Sequence, residues 1–288
     1  MMYERVLKPF GIEFRKIRKD IRLEGSPERC RSRAVIEAKD KNVYIIELLK
    51  NKQKEQRENI AKTLMFLKLK GMKEVNPYIY HEGFIHYDWM VQKYIENIPL
   101  KRPDYINELW RAKKIGRFLH DLKRIEVPYF DKKDIFDIKE YVREIQSAID
   151  DNRPELGKIT GKYARFVEKN LPSNLPISFS HGDFHPINIL WGEDEIISVI
   201  DWEFCGYKHE IYDLANLLGC IGSEDPKNLE SEFATTLINN MKKVYSDKSI
   251  EHLNVYILAL RFGWLSEWLR KKDEEMVNQE IEYMKLIR

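Results

Sequence analysis

The chain has 288 residues, 43% of them hydrophobic and 33% charged, with a formal net charge of +2. That length buries a sizeable core in one large domain or two lobes, and the balance is that of a globular protein with a well-ionised surface. A nucleic-acid binder would carry a basic excess or stripe, which this composition does not give.

The locally basic stretches KNKQKEQR and WRAKKIGR fall in helical patterns with apolar residues between the charges, so they read as solvated helix faces. Cys30, Cys205 and Cys220 are odd in number, far apart and without paired spacing. That disfavours a disulfide framework and a zinc site, and it fits a reducing compartment. The opening MMYERVLKPFGIEF has charges where a signal peptide needs an apolar run, and VYILAL is too short to cross a bilayer. The expectation is a cytoplasmic protein with no membrane or nucleic-acid partner. Its oligomeric state is not readable.

In chain order, RAVIEA and NVYIIELL flank the polar turn KDK and predict a hairpin. From Lys54 to Leu69, Ile60, Leu64 and Leu67 recur at helical spacing, and Gly71 ends the run. NPYIYH and DWMVQKYI return to short strand patterns, with Gly83 between them. Beyond Pro99 the character turns helical. Residues 104–124 place Leu109, Ala112, Ile115, Leu119 and Leu122 on one face, with Asp104 as a plausible N-cap. Helices follow near 133–149 and 154–170, then a β region over 177–201, then a helical remainder. The predicted architecture is α+β: a small β-rich lobe over 1–95 and a larger helical lobe over 96–288. The link lies near 93–99, and a ligand cleft is expected between the lobes.

The stretch SHGDFHPINIL from Ser180 packs polar residues ahead of an apolar run. NILW, GEDE and IISVID read as strand, turn and strand, which brings Asn188 and Asp201 together at the open end of a hairpin. One amide and one carboxylate oxygen suit Mg²⁺, which keeps waters and takes phosphate oxygens for the rest. Asp183, five residues before Asn188, would sit on the preceding loop, where a carboxylate can accept or orient a hydroxyl proton.

HGDFHPINIL followed by VIDWEFCGYKHEIYDLAN resembles the aminoglycoside phosphotransferase and choline kinase family, small-molecule relatives of protein kinases. The pattern H-G-D-x-x-x-x-N, then I-D-[WFY]-E, then D-L-A is present throughout at matching spacing. The resemblance implies a two-lobed protein-kinase-like fold. It also implies Mg²⁺-dependent transfer of the γ-phosphate of ATP, or GTP, to a hydroxyl of a small molecule. It makes Asp183 the catalytic base, gives Asn188 and Asp201 to magnesium, and has Asp213 brace the loop from a helix. Gln92, Lys93 and Tyr94 fall at the hinge that holds the adenine. His181 reads as ordering the catalytic segment, His185 as packing or touching phosphate or substrate, and Glu203 as supporting the site or near the substrate. A protein kinase is disfavoured, because HGD replaces HRD and the segment from Asp201 to Asp213 is short.

One position departs from the pattern. The family places a Lys or Arg late in its third strand, where this chain has Glu47. A carboxylate there repels phosphate unless a cation intervenes. Lys50 reaching inward, Lys52 or Lys54 in its stead, or a regulatory relative with altered nucleotide binding are the alternatives. Glu55 and Glu58 are the candidate helix acids. Ser26, in GSPERCRSR, could cover phosphates in place of a glycine-rich loop. For the acceptor, Tyr256, Leu260, Trp264 and Trp268 share a helical stripe that reads as core or as an aromatic wall for a cation. Glu267, Asp273, Glu274 and Glu275 are the acids an aminoglycoside would want. Amino sugar, choline, homoserine and sugar acceptors all stay open.

Overall fold

The computed structural model describes residues 2–23 and 30–287. A short helix α1 (Met2–Leu7) precedes β1 (Phe14–Ile17), β2 (Ser32–Ala38), β3 (Val43–Leu48), helix α2 (Lys54–Leu69) and β4 (Trp89–Lys93). The four strands form one antiparallel sheet in the order β1-β2-β3-β4. The β2–β3 hairpin forms where the sequence predicts it, with Val35 opposite Ile45.

Alternation along β3 decides what each face sees. Ile46 joins Val6, Leu7, Phe10, Ile36, Trp89 and Val91 in a small core, with Tyr44 and Leu48 packed on it. Residues one step out of phase, Ile45 and Glu47, therefore point to the opposite face. Helix α2 keeps its predicted limits because Ile60, Leu64 and Leu67 bury one stripe in the main core. NPYIYH forms no strand of its own. Pro77 has no N–H to give to a ladder, and only an isolated bridge from Tyr78 to Gln92 forms. The link beyond β4 is pinned at both ends: Tyr94 N–H donates to Val43 at 2.9 Å and Ile98 N–H to Trp191 at 2.8 Å.

The larger lobe begins with α3 (Leu109–Lys123), α4 (Ile138–Asn152) and α5 (Pro154–Asn170). The α3 stripe is as predicted, but residues 104–107 form a 3-10 turn in which Asp104 makes no capping bond. Helix α4 starts later than 133, because Asp131 captures the Lys133 N–H at 2.8 Å and holds a turn. Asp137 then caps the helix by accepting from Lys139 and Glu140.

Strands β5 (Ile177–Ser180), β6 (Ile189–Trp191), β7 (Ile196–Val199) and β8 (Gly206–His209) follow. β5 pairs with β8 and β6 with β7, both antiparallel. β8 lies in a stretch that the sequence pattern assigns to helix. Helices α6 (Tyr212–Glu224), α7 (Glu232–Met241), α8 (Asp247–Glu251), α9 (Leu253–Lys271) and α10 (Glu274–Leu286) complete the chain. Among the described residues no helix is long and apolar enough to cross a membrane. The architecture is α+β: a four-stranded antiparallel sheet with helix α2 in the first third, then a mainly helical part that carries two two-stranded sheets.

Candidate active site

The loop after β5 is held almost entirely through its backbone. The N–H groups of His181 and Gly182 donate to the two oxygens of Asp213 on α6, at 2.7 and 2.9 Å. The His181 ring is buried; its Nε2–H donates to the Ile200 carbonyl at 2.9 Å, and its Nδ1 accepts from Asp183 N–H at 3.1 Å. That pairing needs a neutral ring with a free Nδ1 lone pair. Burial agrees, lowering the His181 pKa to about 4. Burial also raises the Asp213 pKa to about 6, although the two amides work against it.

Gly182 is required where it stands. Its φ is +87°, and a Cβ would lie 2.0 Å from the Phe204 carbonyl oxygen. Beyond Asp183, Phe184 anchors the loop by stacking on Phe118 of α3 with centroids 5.3 Å apart, and its carbonyl accepts from Asn216.

The β6–β7 hairpin closes the site from the other side. Ile200 N–H donates to the Asn188 carbonyl at 2.9 Å, so Asn188 and the start of the Asp201 turn lie side by side across the hairpin end. Asn188 is buried, and its Nδ2 donates to the Asp183 carbonyl at 2.9 Å and to Asp183 Oδ2 at 3.2 Å. With the nitrogen committed, the amide oxygen is the donor atom left for a cation. Asp201 takes φ of +68°, a left-handed conformation that a non-glycine residue holds only where its surroundings impose it. Among the described residues no cluster of three or more His, Cys, Asp or Glu could hold a metal. Asn188 and Asp201 would offer a sparse pair of hard oxygens, of the kind that Mg²⁺ completes with waters and phosphate.

His185 Nε2 lies 3.6 Å from Asp183 Oδ2, and its ring stands edge-on to Trp264 at 6.1 Å. Trp264 and Trp268 are half-buried with centroids 5.9 Å apart, whereas Tyr256 and Leu260 on the same stripe are core. The stripe thus divides between the two readings. Arg261 lies over Trp264 and Lys271 over Trp268. Of the acids beyond, Glu267 pairs with Arg270 and Lys271 and Glu274 with Arg153, while Asp273 caps the next helix through the Met276 N–H. Arg270 beside it pulls the Glu267 pKa down to about 2.

Glu203, read as supporting the site or near the substrate, turns one carboxylate oxygen to Arg57 of α2 at 3.1 Å. At the hinge, Asn76 Nδ2 donates to the Lys93 carbonyl, and Gln92 Nε2 donates to the Asn76 carbonyl. Lys50 is exposed beyond the end of β3, and Lys54 pairs with Asp88. Glu55 is exposed and Glu58 pairs with Lys62, so neither acid forms the inner face of α2. The buried charge there is Arg57, which sequence reasoning missed. Its signal was helical phase: Arg57 precedes Ile60, Ala61 and Leu64 at three, four and seven residues. Ser26 lies outside the described residues.

The model of the phosphotransferase enzyme family matches residues 41–245, well over half of the chain. Among curated proteins no sequence matched. Solved structures resemble it over nearly its whole length. The GDP complex of wild-type aminoglycoside 2'-phosphotransferase-IIIa superposes with a TM-score of 0.71 at 15% identity, covering 99% of this chain and 97% of that one. Choline kinase LicA from Streptococcus pneumoniae gives 0.67 at 16%, covering 99% and 97%. Amicoumacin kinase hAmiN in complex with AMP-PNP, Ca²⁺ and Ami gives 0.68 at 15%, covering 99% and 92%. At such identities the likeness speaks for the fold, and the family match speaks for the class of chemistry. The chain therefore belongs to the phosphotransferase enzyme family, as a small-molecule kinase of two-lobed protein-kinase-like fold.

Proposed function

We propose that this enzyme transfers the γ-phosphate of ATP or GTP, with Mg²⁺, to a hydroxyl of a small molecule. The observation that carries this reading is the contact of Asp183 with Asn188 at the end of the hairpin that leads to Asp201. Asp183 orients the acceptor hydroxyl and takes its proton as the oxygen attacks the γ-phosphorus. The bond from that phosphorus to the β,γ-bridging oxygen breaks, and the nucleoside diphosphate leaves. Asn188 and Asp201 would hold the divalent ion, whose charge when bound offsets that of the transferred group. His181 and Asp213 touch no reactant in this scheme. They fix the Asp183 backbone so that little reorganisation is needed at the moment of reaction.

The nucleotide reading draws support from the similar structures solved with GDP or with AMP-PNP and Ca²⁺. Residues 1–95 are proposed as the nucleotide-binding lobe and 96–288 as the catalytic and acceptor-binding lobe, with the base set against the link at Gln92, Lys93 and Tyr94. The acceptor rests against Trp264 and Trp268, with its hydroxyl between His185 and Asp183. A cytoplasmic setting suits the free thiols of Cys30, Cys205 and Cys220.

The test is a panel of acceptors (amino sugars, choline, ethanolamine, homoserine and simple sugars) with ATP or GTP, read by release of the diphosphate. Acceptor-dependent release that disappears in Asp183→Asn supports the assignment. Release that Asp183→Asn leaves unchanged sinks it.

A further inference from the structure

Strand β3 presents Glu47 on the face opposite the small core, and helix α2 presents Arg57 from its buried stripe. Tyr78 joins them. Its hydroxyl donates to Glu47 Oε2 at 3.4 Å and is hydrogen-bonded by the Arg57 side chain. On its other side Arg57 donates to Glu203 Oε1 at 3.1 Å, while Gln56 Nε2 donates to the Glu203 carbonyl at 3.3 Å. The Arg57 side chain is 8% exposed and that of Glu203 14%. A charge this deep is kept only when it is paired. Burial works against the guanidinium, but Tyr78, Glu47 and Glu203 outweigh it and hold Arg57 above its ordinary value.

Glu203 lies two residues beyond Asp201, in the short turn over 202–204, so a hold on Glu203 is a hold on the Asp201 turn. Glu47 and Glu203 would also repel a triphosphate unless a cation stood between them. Other buried bases are engaged elsewhere: Arg261 with Glu280, Arg111 with Glu108, and Lys208 against the rings of Phe136 and Tyr212. Arg57 is the buried base, among the described residues, that bonds the 201–204 segment.

We propose that Arg57, suspended between Glu47–Tyr78 of the sheet side and Glu203, is the positioning cation of the phosphate site, so that this enzyme carries the acid of its strand–helix pair on β3 and the base on α2. The proposal rests on the phosphotransfer reading above. It also states what Glu47 does: it holds the cation in place and does not itself meet phosphate.

The test uses the full chain and two readouts: affinity for Mg²⁺–ATP and Mg²⁺–GTP by titration, and melting temperature without nucleotide. Arg57→Met weakens nucleotide affinity and raises the half-saturating Mg²⁺ concentration, each by about tenfold or more, while adenosine or guanosine binding is unchanged. Arg57→Lys keeps part of the affinity. Glu47→Lys weakens affinity in the otherwise native chain, because it presses a second cation on Arg57. In the Arg57→Met background the same change strengthens affinity, because it removes an acid and supplies the missing charge. Unchanged affinity in Arg57→Met, or improved affinity in Glu47→Lys alone, overturns the proposal and leaves phosphotransfer standing. If the native chain binds neither nucleotide, phosphotransfer falls and the positioning role with it. A reversal of sign seen in melting temperature alone also overturns that role, and it leaves only a structural ion pair.

Discussion

The loop around Asp183 and the junction of β3 with α2 border one site but are held by different forces. The loop is tied by backbone amides: His181 and Gly182 donate to Asp213, and Asp183 donates to His181. The junction is tied by side-chain charge, with Arg57 between Glu47–Tyr78 and Glu203. The loop's ties engage main-chain amides that any residue carries, so they ask for one acceptor, Asp213, at a set place on α6. Charge ties depend on sign and burial, so their members can trade places between elements while the function of the junction is kept.

The difference can be broken at several points. The largest effect is expected for Asp201→Ala, with turnover falling about a thousandfold or more while the fold is kept, as circular dichroism would check. Turnover near the native level would remove the metal role. Asp213→Asn weakens the acceptor of two buried amides and lowers turnover by about ten- to a hundredfold, with an accompanying fall in melting temperature. Gly182→Ala meets both the left-handed φ and the Phe204 carbonyl. A loss of about 1–3 kcal/mol in denaturant unfolding is expected.

The pH dependence sharpens the comparison further. His181 is neutral in the fold down to a pKa of about 4, whereas the unfolded chain takes up that proton near 6.5. Between those values the unfolded state binds more protons, so His181 removes stability as pH falls, about 3 kcal/mol when complete. Asp213 acts with the opposite sign. Its folded pKa of about 6 exceeds the unfolded 3.8, so it adds stability as pH falls through that window. The two contributions nearly cancel in the native chain, so between pH 7 and 4 this pair leaves its stability almost flat, whereas in unfolding curves Asp213→Asn uncovers an acid loss and His181→Gln an acid gain. Parallel curves for all three proteins would contradict the assignment.

How much of this could be read beforehand follows from the same contrast. Asp183, Asn188, Asp201 and Asp213 lie within 31 residues, and their spacing is enough to bring them to one place. Helices α2 and α5 were legible to the residue because long apolar stripes at helical period leave few alternatives. β8 was not, since its four residues include a glycine and a lysine and are made a strand by pairing with β5. The start of α4 was lost to the Asp131 turn. Arg57 was invisible for another reason: its partners stand at 47, 78 and 203, and only the folded chain brings them together. The Trp264–Trp268 pair was seen, but the cations over its rings were not.

The most direct measurement is Mg²⁺-dependent release of ADP or GDP across the acceptor panel, native chain against Asp201→Ala. A hydroxyl acceptor that drives release by the native chain and none by the variant is the predicted result. Equal release by both, or none by the native chain with any acceptor and either nucleotide, contradicts the account.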